Sequence, residues 1–361
     1  MAQWRTGRVQ RALFDRVGAD ISDHKAKISV VITSYNHEAF IGEAIESVIA
    51  QTHPPFEIIV VDDSSQDNSL ETISGYSDAI TLIVNPENLG GAKTTSIGVE
   101  RCSGDYIAVL NSDDVWEPDK LEKQLEFLTT NRLDACFTHV TVIDESSHVI
   151  SPAPPEYDKF DLATPEFDDF LLHFFCFGNF LCHSSVLASA DLYRQSGPYK
   201  NVLRQLPDFE KWVSFARRGK MGILAEPLVR YRTLGAGNTS SAQSPEAFIR
   251  TRFEHFLIFL DFFEGIPLDR LKTQFSRVVP IDADEQDRDR VIAEILYAHP
   301  DQSLKAPAQL AALVGLARDS SNADSDHYLH RLSGVTDVFH LVPPAAERPS
   351  LLKRLMQRVS K

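Results

Sequence analysis

From Ile28 onward, short runs of aliphatic and β-branched residues alternate with longer stretches whose apolar positions recur at helical spacing. Ile28 to Thr33, Ile58 to Val61, Ile80 to Val84 and Tyr106 to Leu110 predict strands. Between them, Glu38 to Ala50, Asn68 to Ser74 and Ala92 to Arg101 predict helices. This is the βαβ rhythm of a largely parallel sheet, whose strands read as continuous apolar runs because both faces are covered. Such sheets bind ligands at the carboxyl ends of their strands. Polar residues stand at those ends: Thr33-Ser34-Tyr35-Asn36 after the first run, Asp62-Asp63 after the second and Asn111-Ser112-Asp113-Asp114 after the fourth.

The Pro-rich stretch Ser151 to Pro155 closes this half. A Phe-rich segment follows from Phe167 to Phe180, then a predicted helix from Phe209 to Arg218. Beyond Pro245 the pattern turns mostly helical, with Ile249 to Phe263 strongly apolar and Ala306 to Ala317 rich in Ala and Leu. The expected division is an N-terminal amphipathic extension over 1–27, an α/β domain over 28–240 and a mostly helical region over 241–361. The acidic pieces Asp282 to Asp289 and Asp319 to Asp326 read as solvated loops or helix edges.

A chain of 361 residues with 43% hydrophobic and 24% charged positions is ordinary globular material, so class must come from motifs. The net charge of -15 argues against a nucleic-acid partner, which needs clustered Lys and Arg. Cys102, Cys136, Cys176 and Cys182 lack the paired spacing of a zinc site or a disulfide framework. No stretch approaches the ~20 apolar residues of a membrane span, and the N-terminus lacks a continuous apolar core like that of a secretory signal. The expectation is a cytoplasmic chain.

Three constellations carry candidate chemistry. Asp113 and Asp114 directly follow a buried strand, where adjacent carboxylates suit a divalent cation such as Mg²⁺ or Mn²⁺. Their other reading is a helix cap, with Asp114 and Trp116 opening the helix before Pro118. Asp62-Asp63-Ser64-Ser65, with Asp67 and Asn68, either serves a strand-to-helix turn or offers a carboxylate to a base or ribose. Asp208 and Glu210 open an amphipathic helix two residues apart, so one can face a cleft as a general base while the other meets solvent. Alternatively both merely favour the helix dipole.

The ordered series Ile28-Ser29-Val30-Val31-Ile32-Thr33-Ser34-Tyr35-Asn36, Ile45 to Thr52, and Glu57 to Ser65 resembles the family 2 glycosyltransferases, inverting enzymes of bacterial surface polysaccharide synthesis. The resemblance runs from about Ile28 to Asn238. It implies a GT-A fold with a C-terminal helical appendage and transfer from a nucleotide sugar, commonly a UDP-sugar, to a glycan or lipid-linked glycan. It also implies that Thr33, Tyr35 and Asp63 contact the nucleotide, with Asn88-Leu89-Gly90-Gly91 beside it, Gly90 included. Ser112-Asp113-Asp114 corresponds to the family's variant Asp-x-Asp motif, with Asp113 against the ribose or sugar and Asp114 on a Mn²⁺ or Mg²⁺ ion. Asp208, ahead of Trp212, occupies the place of the base. Pro207 replaces the usual preceding Glu, and Thr95-Ser96 replaces a frequent Arg-Asn, with Lys93 nearby to compensate. Leu234 stands where a His often reaches the metal or diphosphate, which leaves Arg230 or Arg232 for that charge.

His183 follows the Phe-rich segment and reads either as a donor or sugar contact or as a hydrogen-bonded structural imidazole. Phe174, Phe175, Phe177 and Phe180 read as core before they read as a sugar platform. Trp4 to Val17 and Leu351 to Lys361 are basic and amphipathic on an otherwise acidic chain. They fit either peripheral contact with an anionic membrane, useful for a lipid-linked acceptor, or packing on the protein's own acidic surface. The reading from another class is a non-catalytic GT-A module that binds a nucleotide sugar or glycan; Asp114 and Asp208 argue against it.

Overall fold

The protein is described by a computed structural model that covers residues 26–161, 170–234, 244–276 and 283–318. The four predicted strands form in place as β1 (Ile28–Ser34), β2 (Glu57–Asp62), β3 (Thr81–Val84) and β4 (Tyr106–Asn111). They pair in parallel in the order β3-β2-β1-β4. The intervening helices are α1 (Ile41–Ile49), α2 (Ser69–Ser74) and α3 (Gly91–Arg101). α1 starts three residues later than the pattern suggested, because residues 37–40 form a turn. Its backbone is tied to the neighbouring loop, with Glu38 N donating to Asp67 Oδ2 at 3.0 Å.

α3 packs unusually close to the sheet. A Cβ on Gly98 would lie 2.4 Å from Val31 Cγ1 and 3.2 Å from Val61 Cγ2, so only glycine permits this approach. The helix begins after Gly90, whose φ of 86° is in the left-handed region that favours glycine. Close packing thereby sets the Gly-rich loop above the ends of β1 and β2.

Past β4 the sheet becomes mixed. β5 (Val115–Trp116), β6 (Ala135–Ile143), β7 (Leu187–Ser189) and β8 (Met221–Arg232) complete an eight-stranded sheet in the order β3-β2-β1-β4-β7-β6-β8-β5. β7 runs antiparallel to β4 and β6, β8 runs parallel to β6, and β5 antiparallel to β8. The cap reading of Asp114 and Trp116 is therefore replaced: Val115 and Trp116 pair with Arg230 and Val229, and the next helix, α4 (Lys120–Asn131), starts later. α5 (Phe170–Phe177), α6 (Ala190–Ser196) and α7 (Pro207–Arg218) flank this half.

The C-terminal region supplies α8 (Pro245–Asp261), α9 (Leu268–Gln274), α10 (Arg288–Tyr297) and α11 (Gln302–Arg318). Ser244 caps α8 by accepting from Ala247 N at 3.1 Å, and Pro245 takes the first helical position, where no N–H is needed. These helices share a hydrophobic core with α5 and α7. Phe175 of α5 meets the rings of Phe259, Phe262, Phe263, Phe275 and His299 at centroid distances of 4.4 to 6.0 Å. Phe174, Phe175 and Phe180 are buried, as their core reading requires. Both basic terminal segments and Asp319 to Asp326 lie outside the described residues.

Candidate active site

The ends of β1, β2 and β4 open into one cavity of about 1100 Å³. Thr33, Tyr35, Asp63, Gly90, Asp113, Asp114, His183 and Asp208 all line it. The residues expected to hold a nucleotide, a metal and a base are thus brought to one space. Across from the strand ends, the wall comes from α5, α8 and the start of α11, through Phe177, Arg250, Thr251, His255 and Ser303.

On the strand side, carboxylates organise the loops. Asp62 accepts from Ser65 N at 2.8 Å and Ser65 Oγ at 2.6 Å, so it serves the turn. Asp67 does the same with Ser69 and Glu38 N. Asp63 instead reaches across to the Gly-rich loop: Oδ1 accepts from Asn85 Nδ2 and Leu89 N, both at 2.8 Å, and Oδ2 from Gly90 N at 2.9 Å. Tyr35 remains 43% exposed at the mouth. His37 is a cavity residue that the sequence reading passed over; its Nδ1 lies 2.8 Å from Ser112 Oγ, and its nearness favours ionised Asp113. Its place on the turn after β1 was the available signal.

Asp114 is almost wholly buried. Its Oδ2 accepts from Ser184 Oγ and its Oδ1 from Arg232 N at 2.9 Å. Burial, then the neighbouring Asp113 charge, push its carboxyl well above the usual range. Burial pushes Asp113 up as well, against the pull of His37 and Arg232. Each carboxylate oxygen has two lone pairs, so these bonds leave Asp114 acceptor capacity. Two hard oxygen donors fit a divalent cation. Among the described residues, no three His, Cys, Asp or Glu side chains form a complete metal site. A cation held here would therefore complete its shell with phosphate oxygens and water.

Arg232 braces this pair from behind. Its guanidinium is buried; Nε donates to Asp113 O at 2.7 Å, Nη2 to Glu43 Oε2 at 2.6 Å, and Nη1 to Asp144 O and Ser147 Oγ at 3.0 Å. Arg230 pairs with Glu117 at 2.7 Å. Neither Arg230 nor Arg232 lines the cavity, and Lys93 is exposed on α3 outside it. Among the described residues, the Lys and Arg side chains that line it are Lys159, Arg204 and Arg250.

Asp208 sits in the first turn of α7. Its Oδ2 accepts from Asn179 Nδ2 at 2.8 Å and its Oδ1 from Phe209 N at 2.8 Å. Burial raises its pKa, while those two bonds and the Lys159 charge oppose the rise. A carboxylate so raised is a stronger base than one in water. Glu210 does not meet solvent as the spacing suggested: it is buried and pairs with Lys200 at 3.2 Å. His183 has Nδ1 3.0 Å from Asn111 Oδ1 and Nε2 3.2 Å from Tyr199 Oη, and burial lowers its pKa to about 4. It is a neutral, doubly bonded imidazole in the cavity wall.

The order of motifs along this frame is matched by the family model described as glycosyl transferase family 2, over residues 29–189. An uncharacterized glycosyltransferase of Nostoc sp. is 32% identical over 234 residues, which take in 60% of this chain and 68% of that protein. The chain belongs to glycosyl transferase family 2. The putative glycosyltransferase EpsE of Bacillus subtilis is 32% identical over 217 residues, 57% of this chain and 73% of EpsE. The matches span about two thirds of the length of the first curated relatives. Among solved structures, S. aureus TarS 1-349 in complex with UDP-GlcNAc aligns with a TM-score of 0.55 at 19% identity, covering 84% of this chain and 89% of that one. At that identity the likeness establishes the GT-A fold. Among the described residues, no helix is long and apolar enough to cross a membrane.

Proposed function

We propose that this family 2 glycosyltransferase moves a sugar, with inversion, from a UDP-sugar to a hydroxyl of a glycan or lipid-linked glycan. The observation that carries the reading is the single cavity shared by the Asp113-Asp114 pair, the Asp63-held Gly-rich loop and Asp208. The UDP-GlcNAc complex of TarS supports the donor class. The name of a 38% identical relative over 121 residues, the putative teichuronic acid biosynthesis glycosyltransferase TuaG of B. subtilis, supports a role in polysaccharide synthesis.

In this reading, Thr33, Tyr35, Asp63 and Gly90 frame the nucleotide. Asp113 lies against the ribose or sugar, and Asp114 anchors a Mn²⁺ or Mg²⁺ ion. That ion supplies neutralisation of the charge that develops on the departing diphosphate. Asp208 accepts the acceptor hydroxyl's proton as its oxygen bonds to the anomeric carbon. The bond from that carbon to the diphosphate oxygen breaks on the opposite side, and its electron pair leaves with the nucleoside diphosphate. Arg232 holds the Asp113 backbone and the Asp114 carboxylate in place.

A screen of nucleotide sugars with purified protein and Mn²⁺, read as nucleoside diphosphate release, tests this. Release from a UDP-sugar is expected; none from any donor across a panel of acceptors would favour a binding module. We further propose a cytoplasmic place of work, with the basic segments at 4–17 and 351–361 either meeting an anionic membrane or packing on the protein's own acidic surface. Failure of the full chain to sediment with anionic liposomes at low salt would overturn the membrane contact and leave the packing.

A further inference from the structure

Three backbone amides immediately ahead of Asp208 end on one side chain. Arg204 N donates to Glu254 Oε1 at 2.8 Å; Gln205 N and Leu206 N both donate to Oε2 at 2.8 Å. Glu254 belongs to α8, in the C-terminal region, 50 residues from Arg204 along the chain. It is 2% exposed, and a buried carboxylate is tolerated only where donors match its charge. Here the three N–H groups do so, as charge-assisted hydrogen bonds.

Leu206 is buried in the core and its carbonyl accepts from Glu210 N at 3.1 Å, and to these the Glu254 carboxylate adds an acceptor for the segment's three N–H groups. Leu206 precedes α7 with no side-chain cap, and Pro207 has no N–H to offer. The first residue after that proline is Asp208. Around Glu254 on the same helix, Arg250, Thr251 and His255 line the cavity. Glu254 therefore joins the far wall of the cavity to the segment that leads into Asp208 at the start of α7.

We propose that Glu254 is a positioning residue for Asp208, its carboxylate fixing the 204–206 segment and so the place from which Asp208 meets the acceptor hydroxyl. This rests on Asp208 being the base. It gives the C-terminal helices a part in the chemistry, because a base misplaced by ~1 Å can lose on the order of 10² in rate.

The test is Glu254→Gln in the full chain, measured beside Asp208→Asn. The amide keeps the size of the side chain but sets an NH₂ group against N–H donors, so at least one bond is lost. Turnover should fall by ~10-fold or more, while the dissociation constant for UDP with Mn²⁺ stays within about twofold of the parent. Parental turnover in Glu254→Gln, with Asp208→Asn impaired, overturns the positioning role and leaves the base intact. Full turnover in Asp208→Asn overturns the base reading itself. Equal losses of turnover and UDP affinity in Glu254→Gln mark general disruption and also overturn the positioning role. Should the variant fail to fold, amide exchange on the parent protein decides: protection of residues 204–206 comparable to α7 is expected, and rapid exchange there overturns the clamp.

Discussion

The two walls of the cavity are built by different means. On the strand side, Asp62 holds its own turn, while Asp63 and Asp67 reach across to backbone amides of neighbouring turns, Gly90 and Glu38. On the far side, Asp208 leans on Asn179, while the segment before it is held by Glu254. The first wall is a set of strand-to-helix turns on a parallel sheet. The second is assembled from pieces of α5, α7 and α8 brought together by the shared hydrophobic core and by the bonds of Asn179 and Glu254. A wall made of turns fixes where a ligand lies; a wall made of packed helices takes its shape from the core behind it. That division suits an enzyme whose donor and acceptor are recognised separately.

The sharpest way to break this comparison is at Asp208. Asp208→Asn should lower turnover by ~10²–10⁴-fold, the usual worth of a general base, with donor affinity near the parent's. In the parent, activity should be lost as pH falls through a pKa above the ordinary carboxylate range, since burial raises that of Asp208 and only the ionised form accepts a proton. A flat profile on the acid side, or an active Asp208→Asn, would remove the residue from the chemistry. Next in size, Asp114→Asn should abolish the gain in UDP affinity that Mn²⁺ provides, read by calorimetry and by the loss of the Mn²⁺-dependent thermal shift. Unchanged affinity with Mn²⁺ would place the ion elsewhere.

A smaller effect is expected on the strand side alone. Asp63→Ala leaves the Leu89 and Gly90 amides without their acceptor and removes one of the two acceptors of Asn85 Nδ2, so donor affinity should weaken by about tenfold and stability by ~1–3 kcal/mol. Chemical denaturation and UDP titration check the two numbers; a drop in turnover with intact UDP binding would blur the two walls. Smallest of all, Lys93→Ala should change UDP affinity by less than about twofold, because the side chain is exposed outside the cavity and exposed ion pairs contribute little. A tenfold loss would show that α3 turns its cation inward on binding.

The same contrast explains what could be read in advance. β1 to β4 and their helices were legible because each strand is a short apolar run ending in polar residues, and the close order of Thr33, Asp63, Asp113 and Asp114 follows from a parallel sheet. Asp208 was legible from its place ahead of Trp212 at a helix start. The fate of Arg230 and Arg232 was not, since a basic residue at a strand end looks alike whether it faces a ligand or, as Arg232 does, is buried behind the carboxylates. Glu254 and Asn179 carry no local mark at all. Their partners are 48 and 29 residues away, and only the packing of α8 and α5 selects them.

Phe175 has a consequence for how such a chain can be altered. Its ring is surrounded by four phenylalanines and a histidine from the C-terminal helices and the turns that follow them, and each aromatic pair adds ~0.5–1.5 kcal/mol beyond simple burial. A chain cut at residue 240 would turn that surface to water and should precipitate rather than yield a smaller working enzyme. An exchange of the helical region between relatives would likewise succeed only where the donor's aromatic side chains match the socket around position 175. The two regions therefore pack as a pair, and a boundary drawn by composition between them is not a place to cut the chain.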